Sequence, residues 1–351
     1  MTRLPAPVVG SLRTAFAGRC VCVTGGAGFI GGHVCDALLS VGARISVIDD
    51  LSSSDAGHVS ELVDLEPERV RFVHGSILDD SALDEAMSSV KVVLHLAAMG
   101  SVPRSIEQPE RYFAVNATGT LRVLEAARRH GAERVVLASS SSVYGDAPML
   151  PKREGVAHSC LSPYAASKLA GEGLVSAYAR SLGVDGVSLR YFNVFGPRQR
   201  ADSDYAAVIA AFAQRLLSGR SPIIFGDGSA TRDFTYVGNA VLATLLAGSR
   251  EEALEGRVIN VGTGRQTSIR DLAALMAVRC KKGELSAEHR PERAGDVKHS
   301  LADITLARQV LGYEPFESLE TGLDQTLAWY RASGLGAAAA SPEPGERGAA
   351  G

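Results

Sequence analysis

Short apolar runs alternate along this chain with longer stretches in which apolar residues return every three or four positions. The runs Val21–Val23, Ile45–Ile48, Val70–His74, Val92–Leu96, Arg134–Ser139 and Val187–Leu189 read as strands. The intervening stretches predict helices at about Phe29–Val41, Ser81–Ser88, Pro109–His130, Ser162–Leu182 and Tyr205–Leu217. Apolar strands that alternate with helices predict an α/β fold with a doubly wound parallel sheet, buried on both faces. After about residue 190 the texture changes to shorter elements and polar loops, including GDGSATRDF and RPERAGDVKHS. The expected organisation is a leader over 1–17, a nucleotide-binding domain over 18–190, and a smaller α/β substrate-binding region over 191–331, interleaved with the first. Apart from Leu335 and Arg347, residues 334–351 are Ala, Gly, Pro, Ser and Glu, a composition expected to stay disordered.

Composition narrows the function. A hydrophobic content of 46% across 351 residues is ample for a core. A formal net charge of −3 gives no electrostatic case for nucleic acid or an anionic membrane. No stretch approaches the ~20 apolar residues of a membrane span, and residues 1–17 lack the run of a signal peptide. The five cysteines form no CxxC, and the eight histidines show no ligand spacing. Cys20 and Cys22 are expected as small core fillers. Cysteine usage of this kind suggests a reducing cytoplasm, and no metal site is expected.

The segment VCVTGGAGFIGGHVCDALLSVGARISVIDD carries the first chemical signal. Gly25, Gly28 and Gly31 follow a strand at G-x-x-G-x-x-G spacing and open a helix. Glycines let a backbone approach a pyrophosphate, and the helix N-terminus offers unpaired N–H groups. A second strand ends in Asp49-Asp50, and an acid about 20 positions beyond the first glycine can take the ribose hydroxyls of NAD. Asp49 fits that role, and its charge would repel a 2′-phosphate. This is a Rossmann-type arrangement with NAD as the expected cofactor.

The second signal is SPYAASK, where Tyr164 and Lys168 stand four residues apart and share one helix face. A cation a few Å from a phenol favours the phenolate, and is expected to bring Tyr164 toward neutral pH. Such a base beside a bound nicotinamide can take a proton from a sugar hydroxyl. A plain amphipathic surface helix also carries this spacing.

Together, TGGAGFIG, HLAA, SSSSVYGD, SPYAASK and LRYFNVFGPRQ resemble the extended short-chain dehydrogenase/reductase family over about residues 18–331. Within it, GSVPRSI, YAAVI and RAGDVKHS most resemble bacterial UDP-N-acetylglucosamine 4-epimerases. The resemblance implies that Tyr164, Lys168 and the serine run Ser140, Ser141 and Ser142 are the active-site residues, with Ser140 the usual hydroxyl. It implies NAD contacts from Gly25, Gly28, Phe29, Ile30, Gly31, Asp49, Asp50, Ser76, Ile77, Leu96, Ala97, Ala98, Asn116, Tyr164, Lys168 and Tyr191. For the substrate it implies Ser101, Ser142, Asn193, Ala207, Val208, Phe225, Arg232, Arg293, Asp296 and Ser300. Asn193 and the two arginines match diphosphate contacts, and Asp296 matches a uridine-ribose contact. Ala207 and Val208 match the segment beside uracil. Ser300 matches a gate beside the sugar's C2 substituent; the competing reading is that it caps or turns the following ADI segment. The implied mechanism oxidises C4, swings the 4-keto sugar about its diphosphate, and reduces it on the other face. The family also implies a homodimer.

The serine run separates related chemistries. Family 4,6-dehydratases carry an Asp-Glu pair just before VYG, and related decarboxylases keep a Glu; here both positions are serine, Ser141 and Ser142. Serine donates hydrogen bonds but carries protons poorly at neutral pH. Ser76 departs from the family, standing where many members have an aspartate near the adenine. Three readings remain: a UDP-N-acetylhexosamine or UDP-hexose 4-epimerase; an enzyme acting on another nucleotide sugar, UDP-glucuronate first, with Arg104 as its nearest cation in sequence; and a non-catalytic NAD-binding regulator.

Overall fold

The computed structural model describes residues 4–156, 158–201, 207–292 and 297–334. Its centre is a seven-stranded parallel sheet. Six strands lie where the apolar runs predict them: β1 (Cys20–Thr24), β2 (Arg44–Asp49), β3 (Val70–His74), β4 (Val92–His95), β5 (Arg134–Ser140) and β6 (Asp185–Tyr191). The seventh, Arg257–Val261, comes from the C-terminal region and pairs with β6. Across the sheet the order is Arg257–Val261, β6, β5, β4, β1, β2, β3. The order reverses between β1 and β4, so the connections leaving these two strands part and open a crevice at their C-terminal ends. Thr24 ends β1 beside His95, the last residue of β4.

Helices cover both faces, and their apolar sides complete two clusters, one on each side of the sheet. The helix Phe29–Ser40, α2, is buried along most of its length and packs under Val237–Ser249. Pro163–Ser181 lies against β5 and β6 and puts Ala165, Lys168, Glu172 and Val175 on its buried side.

Some boundaries differ from the periodicity. The helix expected over 109–130 contains a wide π turn at Ala114–Thr118, between Pro109–Phe113 and Gly119–Arg129. A π turn accommodates one extra residue, which shifts the face presented by everything before it. Gly119 closes the turn because Ile77 lies there: a Cβ on Gly119 would sit 2.5 Å from the Ile77 Cδ1. The helix expected from Tyr205 begins at Val208, and Tyr205 lies outside the described residues. So do residues 335–351 of the expected tail.

The leader holds an unexpected element. Ala6–Phe16 is a helix, α1, with Pro5 at its start. Leu12 and Phe16, four apart on one face, are 0% and 1% exposed. Phe16 rests on Gly248, where an added Cβ would come within 3.3 Å of the ring. The segment thus belongs to the core.

Removing the Phe16 ring opens a cavity under Val237–Ser249, so Phe16→Ala is expected to cost about 3–5 kcal/mol of stability. Chemical denaturation measures this. A change under about 1 kcal/mol would show a detachable leader.

Candidate active site

The crevice is floored by the turn after β1. Gly25 takes φ +71° and is overlain by the chain leaving β4: an added Cβ would stand 2.6 Å from the Ala97 nitrogen. Gly31 lets α2 close on that turn, since its Cβ would fall 2.0 Å from the Gly25 carbonyl oxygen. Gly28 caps α2 with no side-chain hydrogen bond, and no acidic residue stands in the first turn. The first-turn N–H groups of Phe29, Ile30 and Gly31 therefore face an anion site with positive helix potential. At the end of β2 the Asp49 carboxylate accepts the Ala27 N–H at 3.0 Å, the Leu51 N–H at 2.9 Å and the Ser54 hydroxyl at 3.3 Å. It ties the phosphate turn to the ribose side and keeps spare acceptor capacity, chiefly on Oδ2. Asp50 instead accepts the Ser52 N–H at the surface. The Ser76 hydroxyl turns inward to accept the Leu78 N–H, and Ile77 packs on Gly119. These features fit a dinucleotide: a turn too tight for side chains, an uncapped helix start and a carboxylate at the next strand end.

The chain leaving β4 is fixed by side chains from three elements. The Thr24 hydroxyl accepts the Ala97 N–H at 3.1 Å. Asn116, in the π turn, accepts the Met99 N–H at 2.8 Å and donates to the Met99 carbonyl and the Ser167 hydroxyl. Tyr112 accepts the Ser101 N–H at 3.2 Å. Leu96, Ala97 and Ala98 are thereby held at the crevice mouth. Beneath them His95 is wholly buried, with Nδ1 2.7 Å from the Thr24 hydroxyl and Nε2 3.0 Å from the Thr120 hydroxyl. The Thr120 hydroxyl donates in turn to the Asn116 carbonyl at 2.6 Å. These directions place the imidazole proton on Nε2. Burial pushes His95 down to about 3, so the ring is neutral. It fixes the floor and carries no charge.

Tyr164 and Lys168 lie on the crevice side of Pro163–Ser181, whose start is capped by the Ser162 hydroxyl on the Ala165 N–H. Lys168 is buried and donates to the Ala138 carbonyl at 2.9 Å; burial brings it down to about 8. The Tyr164 phenol differs from the expectation. Burial raises it above its usual range, while a hydrogen bond with Ser140 works the other way. Desolvation wins over the Ser140 hydrogen bond, and the charge of neighbouring Tyr112 acts in the same direction as burial. Ser140, at the end of β5, accepts the Ser142 hydroxyl at 2.9 Å and the Ser142 N–H at 3.2 Å. Ser141 and Ser142 open the short helical turn that follows.

One turn beyond Lys168 stands Glu172, which the sequence reading passed over although it continues the spacing of Tyr164 and Lys168. It accepts the Ser139 hydroxyl at 2.5 Å and pairs with Arg190 at 2.7 Å, both charges almost fully buried. Arg190 also lies 4.6 Å from the Tyr144 ring centre. The pair braces the end of β5 from behind, and its carboxylate is sequestered from the serine run.

The C-terminal region supplies the opposite wall. Asn193 takes φ +22°, a region asparagine enters more readily than most residues, and its side chain is exposed. Tyr191 is buried, and its hydroxyl is engaged by Thr244 at 2.6 Å. Ala207 precedes the helix Val208–Leu217 and is exposed, while Val208 is half-buried. Phe225 ends the short strand Ile223–Phe225, paired with Glu288–Arg290. Arg232 donates to the Thr231 and Lys298 carbonyls, which ties it to the segment that carries Ser300. The Ser300 N–H in turn donates to the Thr231 carbonyl at 3.1 Å, and its side chain is buried. Behind both, buried Asp233 accepts four donors: the Thr263 N–H and hydroxyl, the Gly264 N–H and the Ala302 N–H. Nothing in the sequence marked this anchor, since its partners lie 30 or more positions away. Ser101 uses its hydroxyl to cap the helix Val102–Glu107 at the Arg104 N–H. Arg293 and Asp296 lie outside the described residues.

Comparison with known proteins agrees with this geometry. The model of the NAD dependent epimerase/dehydratase family matches residues 21–262. A UDP-glucose 4-epimerase of Mycolicibacterium smegmatis is 40% identical over 88% of this chain and 97% of its own length. The structure of a UDP-N-acetylglucosamine 4-epimerase from Methanobrevibacter ruminantium M1, in complex with UDP-N-acetylmuramic acid, superposes with a TM-score of 0.85 at 36% identity, covering 91% of this chain and 100% of that one. That of a UDP-glucose 4-epimerase of Thermus thermophilus in complex with NAD gives a TM-score of 0.79 at 34% identity, covering 90% and 99%.

A methyl group at Gly31 would collide with the Gly25 carbonyl and open the turn. Gly31→Ala is therefore expected to purify with less than about a tenth of the dinucleotide released by the wild type on denaturation. Chromatography of the released nucleotide measures this, and full retention would show that the turn does not hold it.

Proposed function

We propose, from the premise that the chain belongs to the NAD dependent epimerase/dehydratase family, that it inverts C4 of UDP-N-acetylhexosamines, converting UDP-GlcNAc to UDP-GalNAc, with UDP-Glc and UDP-Gal as a second pair. The chain is an NAD-dependent enzyme of the UDP-sugar 4-epimerase type. The observation that carries C4 inversion is the set of groups around Tyr164. Hydroxyls of Ser140 and Ser142 stand there, and the carboxylate of Glu172 is locked by Arg190. An acid–base pair able to expel a C6 hydroxyl is thus missing from the serine run, whereas proton exchange at O4 needs only the phenol.

Bound NAD supplies the oxidation of C4 and its reversal. Tyr164 takes the O4 proton and gives it back, while Ser140 orients O4 through a hydrogen bond. Lys168 supplies the cation at this end of the site, and the Ser140 hydrogen bond opposes the burial that favours the neutral phenol. Asn193 and Arg232 hold the diphosphate, with Ala207 and Val208 beside the base. Arg293 and Asp296 complete the nucleotide contacts. Small Ser300 leaves room for an acetamide at C2. The alternative substrate is UDP-glucuronate, for which Arg104, exposed on Val102–Glu107 one turn from Ser101, is the nearest cation in sequence.

We place the enzyme in the cytoplasm, in keeping with its five free cysteines and the absence, among the described residues, of any helix able to cross a membrane. A second copy of the chain is the expected partner, docking on the exposed apolar surface at Phe113, beside Pro109, Pro163 and Ala166. Sedimentation of the purified protein measures that state; a monomer would rule it out.

Tyr164→Phe keeps the ring packing and removes the proton carrier. It is expected to lower kcat by about 10² to 10⁴ with NAD still bound. More than about a tenth of wild-type kcat would exclude Tyr164 as the base. Ser300→Tyr is expected to cut kcat/KM for UDP-GlcNAc while sparing UDP-Glc, because a phenol cannot share space with an acetamide. An unchanged ratio of the two would mean that Ser300 only shapes the turn.

A further inference from the structure

We propose that Tyr112 is a positioning residue for the reaction: its ring sets the orientation of Tyr164, and its hydroxyl fixes the backbone of Ser101 at the sugar end of the site. The proposal rests on the reading of Tyr164 as the acid–base group.

Tyr112 stands near the end of Pro109–Phe113, just before the π turn, and is 1% exposed. Its ring meets that of Tyr164 edge to face, with centroids 6.4 Å apart and planes at 89°. In such a pair the positive rim of one ring faces the negative surface of the other, and rotation of either ring loses the contact. Tyr164 lies on the crevice side of its helix, and the edge contact with Tyr112 and the hydroxyl of Ser140 both bear on its orientation. A proton carrier must meet O4 within hydrogen-bond reach, so its orientation governs the rate.

The second contact reaches the chain leaving β4. Ser101 N–H donates to the Tyr112 phenol at 3.2 Å. Asn116, four residues after Tyr112, holds Met99 of the same chain. The wide turn at Ala114–Thr118 thus lets two side chains from neighbouring turns grip one extended segment. Because Tyr112 touches both Tyr164 and Ser101, Ser101 lies beside the reacting group, where the hexose must sit, and away from the nucleotide end. The two halves of Tyr112 therefore act on different quantities: the ring on turnover, the hydroxyl on hold of the hexose.

Two substitutions separate them. Tyr112→Phe keeps the edge contact and removes the acceptor for Ser101. It is expected to raise the calorimetric Kd for UDP-GlcNAc about two- to tenfold, with Kd for UDP unchanged. Tyr112→Leu removes the ring and is expected to lower kcat for UDP-GlcNAc about tenfold or more. NAD content and Tm are followed in both. The proposal is overturned if Tyr112→Phe weakens UDP and UDP-GlcNAc alike or neither, or if Tyr112→Leu retains wild-type kcat. Should Tyr112→Leu fail to fold, Tyr112→Phe, which is nearly isosteric, still decides through the two Kd values. A wild type that turns over no UDP-sugar contradicts the epimerase reading instead, and the split between UDP and UDP-GlcNAc binding remains a separate test of where Tyr112 acts.

Discussion

The site depends on one constraint: the chain leaving β4 crosses the crevice at the point where the sheet order reverses, and it must be held there without regular structure of its own. A free loop in that place would let cofactor and sugar move independently. Here Thr24, Asn116 and Tyr112 each take one backbone N–H, at Ala97, Met99 and Ser101. The three come from β1, a π turn and the helix before it, so the loop is tied to both halves of the sheet. Neutral His95 underneath joins Thr24 to Thr120 and so locks β1 to the helix that follows the π turn of Asn116. Such a network rigidifies only when every member is satisfied, and each polar atom just named has its partner.

The opposite side of the site rests on charge. Tyr164, Lys168 and Glu172 recur at one-turn spacing on a single helix, and only the first two face the chemistry. Glu172 turns to Arg190 and Ser139, which fixes the end of β5 and hence Ser140. A buried pair of this kind costs desolvation and is poor evidence of stability. Its place behind the serines points to specificity of position. It also leaves Lys168 with a carboxylate one turn away, which partly offsets the burial that draws the ammonium toward about 8.

How much was legible in the sequence follows from where each signal lies. The six central strands were readable because parallel strands buried on both faces are continuously apolar, as Val21–Val23 and Val92–Leu94 are. The glycine turn was readable because its constraints are local: Gly31 must clear Gly25, six residues back. The strand Arg257–Val261 was not, for five residues bounded by glycines carry too little periodicity to separate strand from turn. The leader hid its helix behind Gly10 and Thr14, although Leu12 and Phe16 carried the pattern. Asp233 and Tyr112 were silent for a different reason. Each acts through partners distant in sequence, and an aspartate in a loop or a tyrosine on a helix is unremarked until folding brings those partners in. The Tyr164 phenol marks the limit of spacing arguments: spacing located it beside Lys168 but could not weigh that cation against burial.

The central claim is that this site oxidises and reduces the same carbon without loss of its hydrogen. Incubation of the purified enzyme with UDP-GlcNAc in D₂O, followed by proton NMR, tests it directly. The account predicts UDP-GalNAc with inverted C4 and protium retained there. Deuterium at C4 or C5, or loss of the C6 hydroxyl in place of inversion, would contradict it.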